Sequence, residues 1–259
     1  METLSLKEWR KYKDILSRCS KKAEEEFIEA ITSGKLGGVG FDNIPRDKVI
    51  DLAYGLVTKY GEASSAAACV FYDELAVASG ALVPAAVPAE TASIHEVAKA
   101  VNGAAKSHNT EVISSAVGRL VKQAGQDTTL QNAKRDGAQF AWIPSGDTCA
   151  YCLGLASLGW QTAGKTTLKG GHAEHIHGNC DCAYAVRFND NTRYAGYDPQ
   201  EYADRFGMWA GNMPESEELN ALRREAYAKN REKINAQKRS AYAKRKERES
   251  DKAEEINVN

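Results

Sequence analysis

Cys149-Ala-Tyr-Cys152 and His177-Gly-Asn-Cys180-Asp-Cys182 gather four of the chain's six cysteines and one histidine into thirty-four residues. Two sulfurs separated by two residues can grip one Zn2+, and Pro144-Ser-Gly-Asp147 just upstream predicts a tight turn to present them. A second half-site arrives after the 24 residues that separate Cys152 from His177. A tetrahedral structural site takes four ligands and there are five candidates. Cys149 and Cys152 stand first, while His177, Cys180 and Cys182 compete for the two remaining places. Cys180 and Cys182 are two apart, so an extended segment would turn both toward one metal. A CxxC matched by an HxxCxC favours metal over a disulfide or plain thiols. The N-terminus agrees: Met1 to Arg10 reads as the start of an amphipathic helix without an apolar leader core, which predicts folding in a reducing cytosol. Cys19 and Cys69 fall on apolar helical faces, where a cysteine serves as a small core residue.

Two further patterns are refused on context. Gly159-Trp-Gln-Thr-Ala-Gly164-Lys165-Thr166 satisfies GxxxxGK[ST], but a phosphate loop must follow a buried strand and open a helix. Here Gly170-Gly171 follows Lys165 within a few residues, so no nucleotide is expected. His172-Ala-Glu174 resembles half of a zinc deaminase signature in the wrong order, since those enzymes place HxE before PCxxC. His172, His175 and His177 leave one catalytic alternative, a zinc-dependent nuclease. Catalytic zinc needs an open coordination position, however, and this set has enough thiols to close itself. No catalytic residue is assigned, and the chain is expected not to be an enzyme.

The elements that must position these ligands are mostly helical. Trp9, Tyr12, Leu16, Cys19, Ala23, Phe27 and Ile31 recur at helical spacing, and the glycine cluster from Gly34 to Gly40 ends that helix. After Asn43 and Pro45, a stripe of Val49, Leu52, Ala53, Leu56, Val57 and Tyr60 predicts a second helix stopping at Gly61. A third is expected from Glu62 to about Ser79, with Ala63, Ala66, Ala67 and Val70 as its close-packing face and Phe71, Tyr72 and Leu75 as its bulk. Past Pro84 and Pro88, Ser93 caps a helix carrying Ile94, Val97, Ala98 and Val101. Another carries Val112, Ile113, Ala116, Val117, Leu120 and Val121. His95 and His108 receive no chemistry.

The pattern changes near Gly137. Ala138 to Ile143 suits a strand entering the CxxC turn, Ala183 to Phe188 a strand leaving CxC, and Gln161 to Gly171 a long hairpin loop between them. These segments predict an α+β, mainly α fold: a helical body over 1–136, a small β-containing zinc knuckle with its following segment over 137–212, and a charged helical or disordered tail over 213–259. A module that small draws much of its folding energy from its metal. With 42% hydrophobic residues, the whole chain can bury a real core. Its longest apolar stretch, Ala66 to Ile94, is broken by Asp73, Glu74, Pro84, Pro88 and Glu90, which excludes a membrane span.

The net charge of −1 hides a division. Leu222 to Arg248 carries eleven basic residues against three acidic ones, a net +8 that leaves −9 for the rest. Such a tail can replace counterions on phosphate, and Tyr227 and Tyr242 can stack on exposed bases.

Ser145-Gly-Asp-Thr-Cys-Ala-Tyr-Cys152-Leu-Gly-Leu-Ala-Ser, His177-Gly-Asn-Cys180-Asp-Cys182, Gly196-Tyr-Asp-Pro199 and the upstream Lys59 to Glu74 together resemble the phage minor head proteins of the Mu-type head-morphogenesis family, from about residue 45 to 205. The resemblance implies a structural virion protein present in few copies. Its implied partners are the portal and capsid proteins, with packaged DNA reached through the basic tail. Its implied location is the capsid interior or portal vertex, with the host cytoplasm during assembly. The rival readings are the zinc-dependent nuclease and a cellular nucleic-acid-binding protein with a structural zinc.

Overall fold

The computed structural model describes residues 3–4, 6–144, 150–164, 182–190, 192–194 and 196–211. Met1–Phe206 form one compact unit; of the second, which starts at Gly207, only the last turn of a helix is described. In chain order the elements are β1 (Thr3–Leu4), α1 (Leu6–Thr32), α2 (Arg46–Ala78), α3 (Ile94–Ala104), α4 (Thr110–Asp136), β2 (Gln139–Ile143), α5 (Ala150–Ser157), β3 (Gln161–Thr162), β4 (Ala183–Arg187), β5 (Arg193–Tyr194) and α6 (Pro199–Gly211). Among the described residues no helix is long and apolar enough to cross a membrane.

The first helix forms as its periodicity predicts. Trp9, Tyr12, Leu16, Ala23, Phe27 and Ile31 are all buried on one face of α1, and Cys19 sits half-buried beside them. α3 opens with a reciprocal capping box, in which the Ser93 hydroxyl accepts from the Glu96 N–H and the Glu96 carboxylate accepts from the Ser93 N–H. Asn109 caps α4 by accepting from the Glu111 N–H at 2.8 Å, and Gly137 closes it in the left-handed conformation at φ 63°.

Gly61 does not end a helix. α2 runs unbroken through it for 33 residues, about 50 Å. A Cβ at Gly61 would stand 2.8 Å from Thr91 Cγ2 and 3.4 Å from Ala124 Cβ, so the glycine marks a close approach of α2 to α4 and to the segment before α3. The close-packing face is correspondingly rotated. Gly61, Ser64, Ser65 and Ala68 are buried in phase with Phe71, Tyr72 and Leu75, whereas Ala63, Ala66 and Val70 face solvent. Gly55 on the same helix meets nothing within 4 Å. Gly55→Ala is therefore expected to raise stability by about 0.5–1 kcal/mol through the loss of backbone freedom in the unfolded chain. Gly61→Leu is expected to lower it by about 1–3 kcal/mol through overpacking. Thermal melts of the two variants, which should move in opposite directions, check this.

α1, α2 and α4 pack mutually, and α3 lies against α2 and α4. Their interior holds two apolar clusters. One joins Ala23, Phe27 and Ile31 to the first half of α2, to α3 and to the first half of α4. The other joins Trp9, Tyr12 and Leu16 to Phe71, Tyr72 and Leu75, to Leu130 and Ala133, and to the sheet. Buried polar residues, Ser20, Ser64, Ser65, Gln126, Thr128 and Thr129 among them, accompany these clusters along the three-helix contact. There the Tyr12 and Thr129 hydroxyls lie 3.0 Å apart in a hydrogen bond.

The sheet has the order β3-β2-β4, antiparallel throughout, with Gln139 opposite Arg187 and Ile143 opposite Ala183. Both expected strands are present. Gln161 and Thr162 are not loop but pair with Phe140 and Gln139, extended by the Ala163 N–H donating to the Ala138 carbonyl at 3.0 Å. β1 pairs in parallel with β5, joining the two ends of the unit.

Candidate metal centre

The β2–β4 pair sets the strand that precedes CxxC beside the strand that follows CxC. Ile143 ends β2 opposite Ala183, which begins β4, so the chain leaving toward CxxC and the chain arriving from CxC lie side by side at one end of the sheet. Cys152 and Cys182, the two candidate ligands within the described residues, are 1% and 6% exposed and belong to one apolar cluster. Cys149, His177 and Cys180 lie outside the described residues, as do His172, His175, Glu174, Lys165 and the basic tail. Among the described residues no three His, Cys, Asp or Glu side chains converge.

Cys152 lies in a helix and not in a tight turn. In α5, Cys152, Leu153 and Ala156 are buried at i, i+1 and i+4, a helical face too short to stand out in the sequence. The helix is clamped from both sides. It packs on β2, the Tyr197 hydroxyl donates to the Ala156 carbonyl at 2.9 Å, and a Cβ on Gly154 would meet the Phe206 ring of α6 at 3.2 Å. Trp160 then lies 5.4 Å from the Tyr194 ring and 5.9 Å from that of Tyr197, with the Arg187 guanidinium 4.7 Å from its centroid.

Cys182 is held through its backbone. The Gln126 side-chain amide, buried on α4, donates to the Cys182 carbonyl at 2.9 Å. β4 is fixed in turn by Tyr184, whose ring sits 4.6 Å from Trp142 and 5.6 Å from Phe140, and by the Tyr194 hydroxyl donating to the Val186 carbonyl at 2.8 Å. Tyr202 of α6 lies close by. Burial holds its phenol above the ordinary range, Glu201 and the Cys182 thiol add to that, and Arg205 opposes it. Burial raises the Tyr197 phenol as well, so both hydroxyls stay neutral at physiological pH.

The donor set fits zinc on chemical grounds. Thiolate and imidazole are its preferred ligands, and Cys152 and Cys182 are withdrawn from solvent. Four of Cys149, Cys152, His177, Cys180 and Cys182 would hold the ion, which would crosslink the two segments. Gln126 and Tyr202 were not singled out in the sequence, and Tyr197 entered only as part of Gly196-Tyr-Asp-Pro199. Gln126 falls away from the Val112 to Val121 stripe of α4, so no local signal marks it.

The phosphate-loop pattern has the reverse of the required architecture. Its Gly159 follows a helix, at φ 68°, and its Gln161 and Thr162 form a strand.

No curated protein and no solved structure matches the chain. The family model described as VG15 protein matches it over residues 3–208. That match runs from β1 into α6 and spans both halves of the cysteine constellation, so the chain belongs to the VG15 protein family, a family of viral proteins.

Proposed function

We propose that this protein is a minor structural component of a phage head, associated with the portal during head morphogenesis, in which a structural zinc closes the module that follows α4. The observation that carries the reading is the CxxC and HxxCxC constellation in a chain of a viral family, with Cys152 and Cys182 buried in one core beside a shared sheet end. The basic segment from Leu222 to Arg248 then serves as an arm for packaged DNA. Purified particles should contain the protein in few copies, fixed near the portal vertex. Its absence from particles, or metal-dependent DNA cleavage abolished by substituting His172 and His175 with zinc retained, would replace the structural reading.

The arm makes a separate prediction. Deleting residues 215–259 should leave the melting temperature of the body and its zinc content unchanged. It should remove most sequence-independent DNA binding, together with the steep loss of affinity that the intact protein shows as salt rises. Equal binding by the truncated protein with the same salt slope would show that the arm does not contact DNA.

A further inference from the structure

A cleft of about 690 Å³ opens between α3 and α4, with Thr91 and Ser93 of the preceding segment on its wall and Arg119 on its α4 side. Arg119 is half-buried, and among the described residues no hydrogen bond or ion pair engages it. Burial alone lowers its pKa. A guanidinium presents five N–H donors and cannot shed its charge, so holding it out of water without a partner is costly.

Among the described residues neither Glu90 nor Glu96 of the lining pairs with it. Glu96 Oε2 accepts instead from the Ser93 N–H at 2.8 Å and the Ser93 hydroxyl at 2.7 Å. Asp127 lies eight residues farther along α4, roughly 12 Å away along the axis, and has an interaction of its own. Opposite Arg119 the wall includes Gly103, where a Cβ would meet nothing within 4 Å. Space is therefore left in front of an unsatisfied cation.

We propose that this cleft is a carboxylate-binding site in which Arg119 takes the carboxylate on its planar fork, with Lys99 and the Gln123 amide lining the same space. Glu90, Glu96 and Asp127 against Lys99 and Arg119 leave the lining at −1, so an anion is held only by its local pairing with Arg119, and the lower charge and planar shape of a carboxylate suit that fork better than a dianionic phosphate. The volume admits either a small carboxylic acid or the acidic side chain of a short peptide segment.

The test uses the full chain and follows the Arg119 Nε–H resonance, and in every variant the Gln123 side-chain amide resonance, while three probes are titrated: butyrate, the peptide Ac-Ala-Glu-Ala-Ala-NH2 and inorganic phosphate. Saturable shifts with butyrate alone identify a small-molecule site, and tighter saturation with the peptide identifies a side chain of a partner. Arg119→Met should weaken binding roughly tenfold to a hundredfold, and the unliganded variant should melt at the same temperature or higher, because an unpaired charge has been removed. Gly103→Leu should block the probes while keeping Arg119, so the site stays testable even where the arginine variant fails to fold. Phosphate binding as tightly as the carboxylates, no saturation by any probe up to about 10 mM, or Gly103→Leu binding as wild type would overturn the proposal. So would an Arg119→Met protein that folds but melts several degrees lower, because the arginine would then be a structural group.

Discussion

Protein carrying Cys152→Ser is expected to purify without zinc, where the parent carries about one ion per chain, and to lose the order of β2, α5 and β4 while α1 to α4 persist. Two effects act together. Coordination is linked to folding, and structural zinc sites supply on the order of 10 kcal/mol to the folding of small modules. In addition, Cys152 is 1% exposed, so serine puts a hydroxyl into an apolar core. Cys152→Ala separates them, since it removes the ligand without adding a buried hydroxyl. Its zinc content should also fall to zero, and amide exchange should accelerate in β2, β4 and α5. Zinc measured by elemental analysis beside hydrogen exchange checks both variants. A metal-free parent with protected strands would refute the structural zinc.

The second large effect is expected at Gly125, where α1, α2 and α4 meet. A Cβ there would stand 2.6 Å from Leu16 Cδ2, 2.7 Å from Ser64 Oγ and 3.0 Å from the Ser64 backbone oxygen. The leucine methyl and the hydroxyl can rotate away, but the carbonyl is part of α2 and retreats only if the helix does. Gly125→Val should therefore cost about 3 kcal/mol or more, a fall in melting temperature of roughly 6–12 °C. Gly118 gives a graded comparison. A Cβ there meets the Glu24 carboxylate and the Ser20 hydroxyl, which are side-chain atoms and not backbone, so Gly118→Ala should cost less. Equal losses at both positions would show that backbone proximity is not what sets the penalty.

The sequence itself carried whatever depends on neighbours along the chain. The stripe from Trp9 to Ile31, the Ser93-x-x-Glu96 cap, the end of α4 at Gly137 and the strands on either side of the cysteines each follow from side-chain period and local backbone geometry. The mainly helical α+β character follows from the same signals. The CxxC and HxxCxC spacing that suggests a metal is likewise a property of the chain, and three of its five candidate ligands lie outside the described residues.

Only the tertiary structure decided what depends on a partner distant in sequence. Gly61 reads as a helix stop until Thr91 and Ala124 are found against it, and the alanine-rich side of α2 reads as the packing face until Phe71, Tyr72 and Leu75 set the buried phase. α5 is hidden because eight residues show barely two helical turns, and β1, β3 and β5 because two residues have no period at all. Gln126 and Arg119 look alike in sequence, each a polar residue on α4. One meets the Cys182 carbonyl and the other faces an open cleft. Periodicity tells a helix which face to bury but says nothing of what it will be buried against, and that partner alone fixes whether a glycine breaks, a glutamine clamps or an arginine waits for a ligand.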